Sequence, residues 1–155
     1  MSELFGKKIE NKSVEDNDSP SIAGEIKLET GGFSIKELEA MLDTLPVDIT
    51  FVDKEDSVKY FNRFNSRIFR RPKSVIGRKV QQCHPKHSLD KVEQILNEFK
   101  SGKRDVAEFW INLDGRLVYI RYFAVRDKNG EYLGTLEVTQ DITDIKKIEG
   151  EKRLL

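Results

Sequence analysis

Cysteine is nearly missing from this 155-residue chain. Cys83 stands alone, so no disulfide can close within the chain, and a reducing compartment, the cytoplasm, is expected. Histidine is almost as scarce, with His84 and His87 the whole supply. Cys83 and the two imidazoles make three candidate ligands, whereas a closed structural zinc site needs four at workable spacing. No metal site is therefore expected. Nowhere do 18 apolar residues run together, so no membrane-spanning helix is expected. The opening MSELFGKK lacks an apolar stretch, so no signal peptide is expected. Excess charge is missing too, with 27 Lys and Arg against 27 Asp and Glu. A net charge of zero gives no electrostatic reason to expect nucleic acid or an anionic membrane as partner. There is no glycine-rich nucleotide loop and no kinase or cyclase signature. Cys83 beside His84 is not a credible catalytic pair, because sequence neighbours rarely reach nucleophile–base geometry. An enzyme is not expected.

What is present is a strong alternation of short strand and helix signals. Residues 1–33 are polar and aperiodic, with too little apolar surface to offset the entropy of ordering, and read as a linker or disordered arm. Ser34 is a helix cap, with Glu37 three residues on as its capping-box partner. Ile35, Leu38, Met41, Leu42 and Leu45 then share one helical face, and Pro46 ends the helix. Residues 49–54 and 57–62 read as two strands joined by a tight polar turn. Residues 63–80 are mixed, with single helical turns expected near 65–69 and 73–76. Residues 81–87 form a connector. Ser88 is expected to cap a helix over 89–100, where Leu89, Val92, Ile95, Leu96 and Phe99 share a face and Gly102 closes the end.

Residues 105–143 hold three strand-like runs cut by Asp114-Gly115 and Asn129-Gly130, which read as two type I′ hairpin turns. The run 116–125 is apolar on both faces, which predicts a central strand covered on both sides. The middle helices would cover one face, and the helix of residues 35–45 or a partner subunit the other. Residues 146–155 read as the start of an outgoing helix, weakened by Gly150, or as a tail.

This order of elements resembles the PAS family. The matching residues are 45–53 (LPVDITFVD), 60–62 (YFN), Ile76-Gly77 and 134–143 (GTLEVTQDIT). Residues 75–85 (VIGRKVQQCHP), 107–112 (AEFWIN) and 118–126 (VYIRYFAVR) look like the subgroup found after hemerythrin-like domains in bacterial and archaeal proteins. The two histidines are too few for a hemerythrin-type di-iron site, so that domain itself is absent. The resemblance covers residues 34–145. It implies an α+β fold, a five-stranded antiparallel sheet with helices packed on one face and the N-terminal amphipathic helix flanking the sheet. It also implies a sensory or signal-transduction module that binds a small ligand in its core, dimerises, or both.

Six residues are the candidates for lining such a core: His84, His87, Phe99, Trp110, Tyr122 and Glu137. Haem b through His84 or His87 is one alternative cofactor, since a single imidazole can serve as its axial ligand. A flavin held without a covalent bond is another, although the NCRFLQ sequence of the light-sensing LOV domains has no counterpart here. A ligand-free protein-interaction domain with a filled core is the remaining alternative. Thr135, Glu137 and Thr139 share one face of the last strand, and alternation leaves open whether that face points inward. If it does, Glu137 needs a buried partner, for which Arg121 is the sequence candidate.

Overall fold

A computed structural model of the protein describes residues 24–155. The chain divides into two compact units that meet in sequence at Leu45 and Pro46. In the first, β1 (Ile26–Leu28) pairs antiparallel with β2 (Gly31–Phe33). The polar arm read over residues 1–33 lies mostly outside the described residues, and its last part forms this small hairpin. Next comes α1 (Ile35–Thr44), which begins as the sequence predicts. The Ser34 hydroxyl accepts from the Glu37 backbone N–H at 3.0 Å, and the Glu37 carboxylate accepts from the Ser34 N–H at 2.9 Å.

The second unit is built on a five-stranded antiparallel sheet. Its strands are β3 (Asp48–Asp53), β4 (Val58–Phe61), β5 (Val106–Leu113), β6 (Arg116–Arg126) and β7 (Tyr132–Asp141). Their spatial order is β4-β3-β7-β6-β5. The middle strand is therefore β7, and β6, which the sequence reads as central, lies one place out. The three polar residues on the inner face of β7 conceal its central position from any count of apolar residues.

The turns follow side-chain chemistry. Asp114 and Gly115 both have positive φ, 50° and 79°, as a type I′ turn requires. The second hairpin differs from the sequence reading, because Gly130 takes the left-handed conformation and Asn129 does not. The Asp127 carboxylate explains this by accepting from the N–H groups of Asn129 and Glu131 at 2.8 and 2.9 Å. That side chain organises a longer loop, closed by Gly130 N–H to Asp127 carbonyl at 3.0 Å. Asp53 repeats the device between β3 and β4, accepting from Glu55 and Ser57, with Asp56 in the left-handed position.

Between β4 and β5 run two 3₁₀ turns, Lys73–Val75 and Val80–Cys83, and then α2 (Lys86–Ser101). This helix starts three residues earlier than the sequence predicts. Pro85 occupies the cap position, and the Ser88 hydroxyl donates to the Pro85 carbonyl instead of capping. Gly102 ends α2 with φ 80°, as expected. Leu96 and Phe99 are buried from its inner face, and Val118, Ile120 and Ala107 from the sheet. Complete burial of Phe99 contributes roughly 1.5–3 kcal/mol. A second cluster joins Val52, Val58 and Val75, with Phe61, Val80 and Cys83 against it. After β7 the chain makes only a 3₁₀ turn, Ile145–Lys147, where the sequence allowed an outgoing helix or a tail. Ile148 is extended and Gly150 has φ 64°, so no helix propagates.

Candidate ligand cleft

Register across the sheet decides which side chains meet. One row runs Thr50, Glu137, Tyr122, Ala107, and the next runs Asp48, Thr139, Ile120, Phe109. Because side chains alternate along a strand, these eight share one face. Thr135 and Thr139 on this face are 5% and 2% exposed, so it points inward. Between it, α2 and the segment of residues 69–85 lies a cleft of about 800 Å³. Its apolar walls include Val92 and Ile95 from α2, Phe109 and Ile120 from the sheet, and Phe69 from the connector. A deeper pocket of about 30 Å³, room for a water, reaches Val52, Leu96 and Thr135. His84, Tyr122 and Glu137 line both spaces.

Polar groups converge on the cleft. Arg71 pairs with Glu137 at 3.1 Å, and the Thr139 hydroxyl lies 3.5 Å from the other carboxylate oxygen. Glu137 thus has a partly buried partner, but it is Arg71. Arg121 lies on the opposite face, against the rings of Tyr119 and Phe123. The Arg71 Nε is buried without a hydrogen-bond acceptor among the described residues. Burial pushes the Tyr122 phenol well above its ordinary range, and the Glu137 carboxylate pushes it further. Burial holds the His84 imidazole below its ordinary value; Glu137 opposes this and Arg71 reinforces it. At neutral pH both groups are therefore uncharged, able to donate or accept.

A second arginine positions this wall. Arg67 is buried, and its guanidinium donates to the carbonyls of Ile49, Asn62 and Phe69 and to the Thr50 hydroxyl, at 2.9–3.1 Å. It stitches the connector to β3 two residues before Phe69 and four before Arg71. Asp48 completes the anchor, accepting from the Ile68 N–H at 2.6 Å and pairing with Arg63 at 3.3 Å.

Three of the six sequence candidates, His84, Tyr122 and Glu137, come together at the cleft. The other three do not line it. His87 is exposed on the first turn of α2. Phe99 is fully buried behind the cleft as plain core. Trp110 is 61% exposed and pairs with Tyr119 on the opposite face. Its neighbour Phe109 takes the inward position, with its ring edge-on to Tyr122 at 5.6 Å. Sequence reasoning missed Phe109, Phe69, Arg67 and Arg71. A usable signal existed for the arginines: residues 57–89 carry nine Lys and Arg and no Asp or Glu. Among the described residues, no three His, Cys, Asp or Glu side chains converge as metal ligands. No described helix is long and apolar enough to cross a membrane.

An antiparallel five-stranded sheet with a helix and a winding connector enclosing one face defines an α+β module with a cleft on that face. Residues 38–143 match the PAS domain family, and the chain belongs to it. PAS domains are typically sensory and signal-transduction modules, generally not catalytic. A crystal structure of a C-terminal domain from Streptococcus mutans is similar, at 35% identity and a TM-score of 0.75. The match covers 81% of this chain and 97% of that one. The PAS domain of a Colwellia psychrerythraea protein shares the fold at 15% identity and a TM-score of 0.51, covering 71% and 98% of the two chains. The PAS domain of BvgS from Bordetella pertussis does so at 19% and 0.51, covering 73% and 89%. No curated protein matches the chain.

Proposed function

We propose that this is a cytoplasmic PAS sensory module that binds a small molecule in the cleft between α2 and the sheet. The observation that carries this reading is the convergence of His84, Tyr122, Glu137 and Arg71 on a cleft of about 800 Å³ with apolar walls. Ligand sites are concave, mostly apolar and fitted with a few polar groups, and their volumes run from about 300 to 1,000 Å³. Occupancy would bias the connector of residues 69–85, because Phe69, Arg71 and His84 line the site from that segment. Self-association as a homodimer would pass that bias to an output partner. Placement in the subgroup found after hemerythrin-like domains rests on residues 75–85, 107–112 and 118–126.

A thermal-shift screen of small metabolites tests the reading, run in parallel on an Ile95→Trp variant whose indole projects into the cleft and obstructs it. Compounds that stabilise the native chain and shift the obstructed variant less support it. Equal shifts in both proteins, or none in either, count against it. One observation favours a second reading, haem b held through His84. This imidazole is half-buried, lines the cleft and is uncharged at neutral pH, the state in which it can ligate iron. Haem would supply a redox-active or gas-binding iron. A Soret band on haemin titration, lost in His84→Ala and kept in His87→Ala, would support that reading; identical spectra from all three proteins would remove it.

A further inference from the structure

We propose that the cleft selects a monoanion with an apolar body, an aryl or alkyl monocarboxylate. This rests on the reading of the cleft as a ligand site. The chain is neutral overall, but its charge is unevenly placed. From Ser57 to Leu89 there are nine cationic side chains and no acid, and this run builds the wall containing Phe69, Arg71 and His84. Lys91 follows one helical position past Asp90 and lines the cleft, whereas Asp90 and Glu93 do not. Among the described residues that line the cleft, two are cations, Arg71 and Lys91, and one is an acid, Glu137. His84 is neutral.

The lining therefore carries one unit of uncompensated positive charge. Arg71 engages Glu137 through one terminal nitrogen, and its Nε has no acceptor among the described residues. Lys91 is exposed at the rim and makes no hydrogen bond or ion pair with the described residues. Both cations have donors to spare. A carboxylate bound at either cation restores neutrality and supplies an acceptor. The apolar remainder of the ligand then lies along Ile95, Phe109 and Ile120. A phosphate monoester fits less well, since its second negative charge meets Glu137 with no further cation in the lining. A cationic ligand meets Arg71 and Lys91 directly.

Three matched probes test this by calorimetry on the full chain: 3-phenylpropionate, 3-phenylpropionamide and 3-phenylpropylamine. They share one apolar body and differ in the charge of the head. The carboxylate is expected to bind about tenfold more tightly than the amide, and the amine weakest. Lys91→Met should weaken the carboxylate about fivefold and leave the amide within about twofold, with Lys91→Arg restoring the carboxylate. Lys91 is exposed, so these variants leave the core intact. Raising ionic strength should weaken the carboxylate alone. If the amide or the amine binds as well as the carboxylate, the charge preference is overturned while the cleft stands as a ligand site. If no probe binds, or all three bind the Ile95→Trp variant equally, both the preference and the cleft reading fall.

Discussion

Removing Arg71 while keeping Glu137 strands a carboxylate beside Tyr122 and His84. The pair is 3.1 Å apart, with side chains 20% and 16% exposed. At that distance and an effective dielectric of about 20, the attraction is about 5 kcal/mol. Desolvation of both groups offsets much of it, so the useful comparison is between variants. Arg71→Met leaves Glu137 with only the Thr139 hydroxyl at 3.5 Å, and should cost about 2–3 kcal/mol. With a urea slope of about 1–2 kcal/mol/M, the unfolding midpoint should fall by about 1–3 M. Arg71→Met combined with Glu137→Leu removes the stranded charge and adds apolar packing. It should return to within about 1 kcal/mol of the parent. Tyrosine fluorescence and circular dichroism in urea would read all four corners of the cycle. A single variant with an unmoved midpoint, or a double variant as unstable as the single, would refute the reasoning that Glu137 is held in the cleft by Arg71.

Three further outcomes are expected. Gly134→Ala places a Cβ 2.2 Å from the Val52 carbonyl oxygen and 2.8 Å from the Phe51 ring, within the middle of the sheet. It should cost about 2–3 kcal/mol and lower Tm by at least about 8 °C; an unchanged melting curve would contradict this close approach. His84 titrates below the ordinary 6.5 in the folded chain, so between its folded value and 6.5 the unfolded chain binds the extra proton. Stability should therefore be highest above about pH 6.5 and fall as pH drops through that window, and His84→Gln should flatten the profile of urea midpoint against pH. Phe109→Ala should weaken 3-phenylpropionate about tenfold by calorimetry, whereas Trp110→Ala should leave it within about twofold, because the two rings lie on opposite faces of the sheet.

Much of the architecture was legible because it is written in local chemistry. The Ser34 capping box, the Asp114-Gly115 turn and the Gly102 cap all lie within a few residues of the structure they specify. Asp141 and Thr143 belong with them. The Thr143 hydroxyl donates to Asp141 at 2.6 Å and accepts from the Leu117 N–H at 2.9 Å, which ties the end of β7 to β6. Three candidates at the cleft were legible as well, since Tyr122 and Glu137 sit opposite each other in register. What escaped depended on long-range placement. The side of the sheet that faces inward is a one-residue choice, and Trp110 and Phe109 differ by that one residue. Asn129-Gly130 looked like a two-residue turn because the role of Asp127 as acceptor of two N–H groups is visible only in the folded loop. Arg71 reaches Glu137 across 66 positions, a separation no periodicity reports.

Native mass spectrometry of freshly purified protein tests the central claim most directly, with the Ile95→Trp variant measured beside it. A cleft that binds a small molecule predicts a discrete non-covalent added mass on the native chain that is lost or reduced in the obstructed variant. A bare mass for both proteins even after incubation with the stabilising compounds, or the same adduct on both, would contradict it.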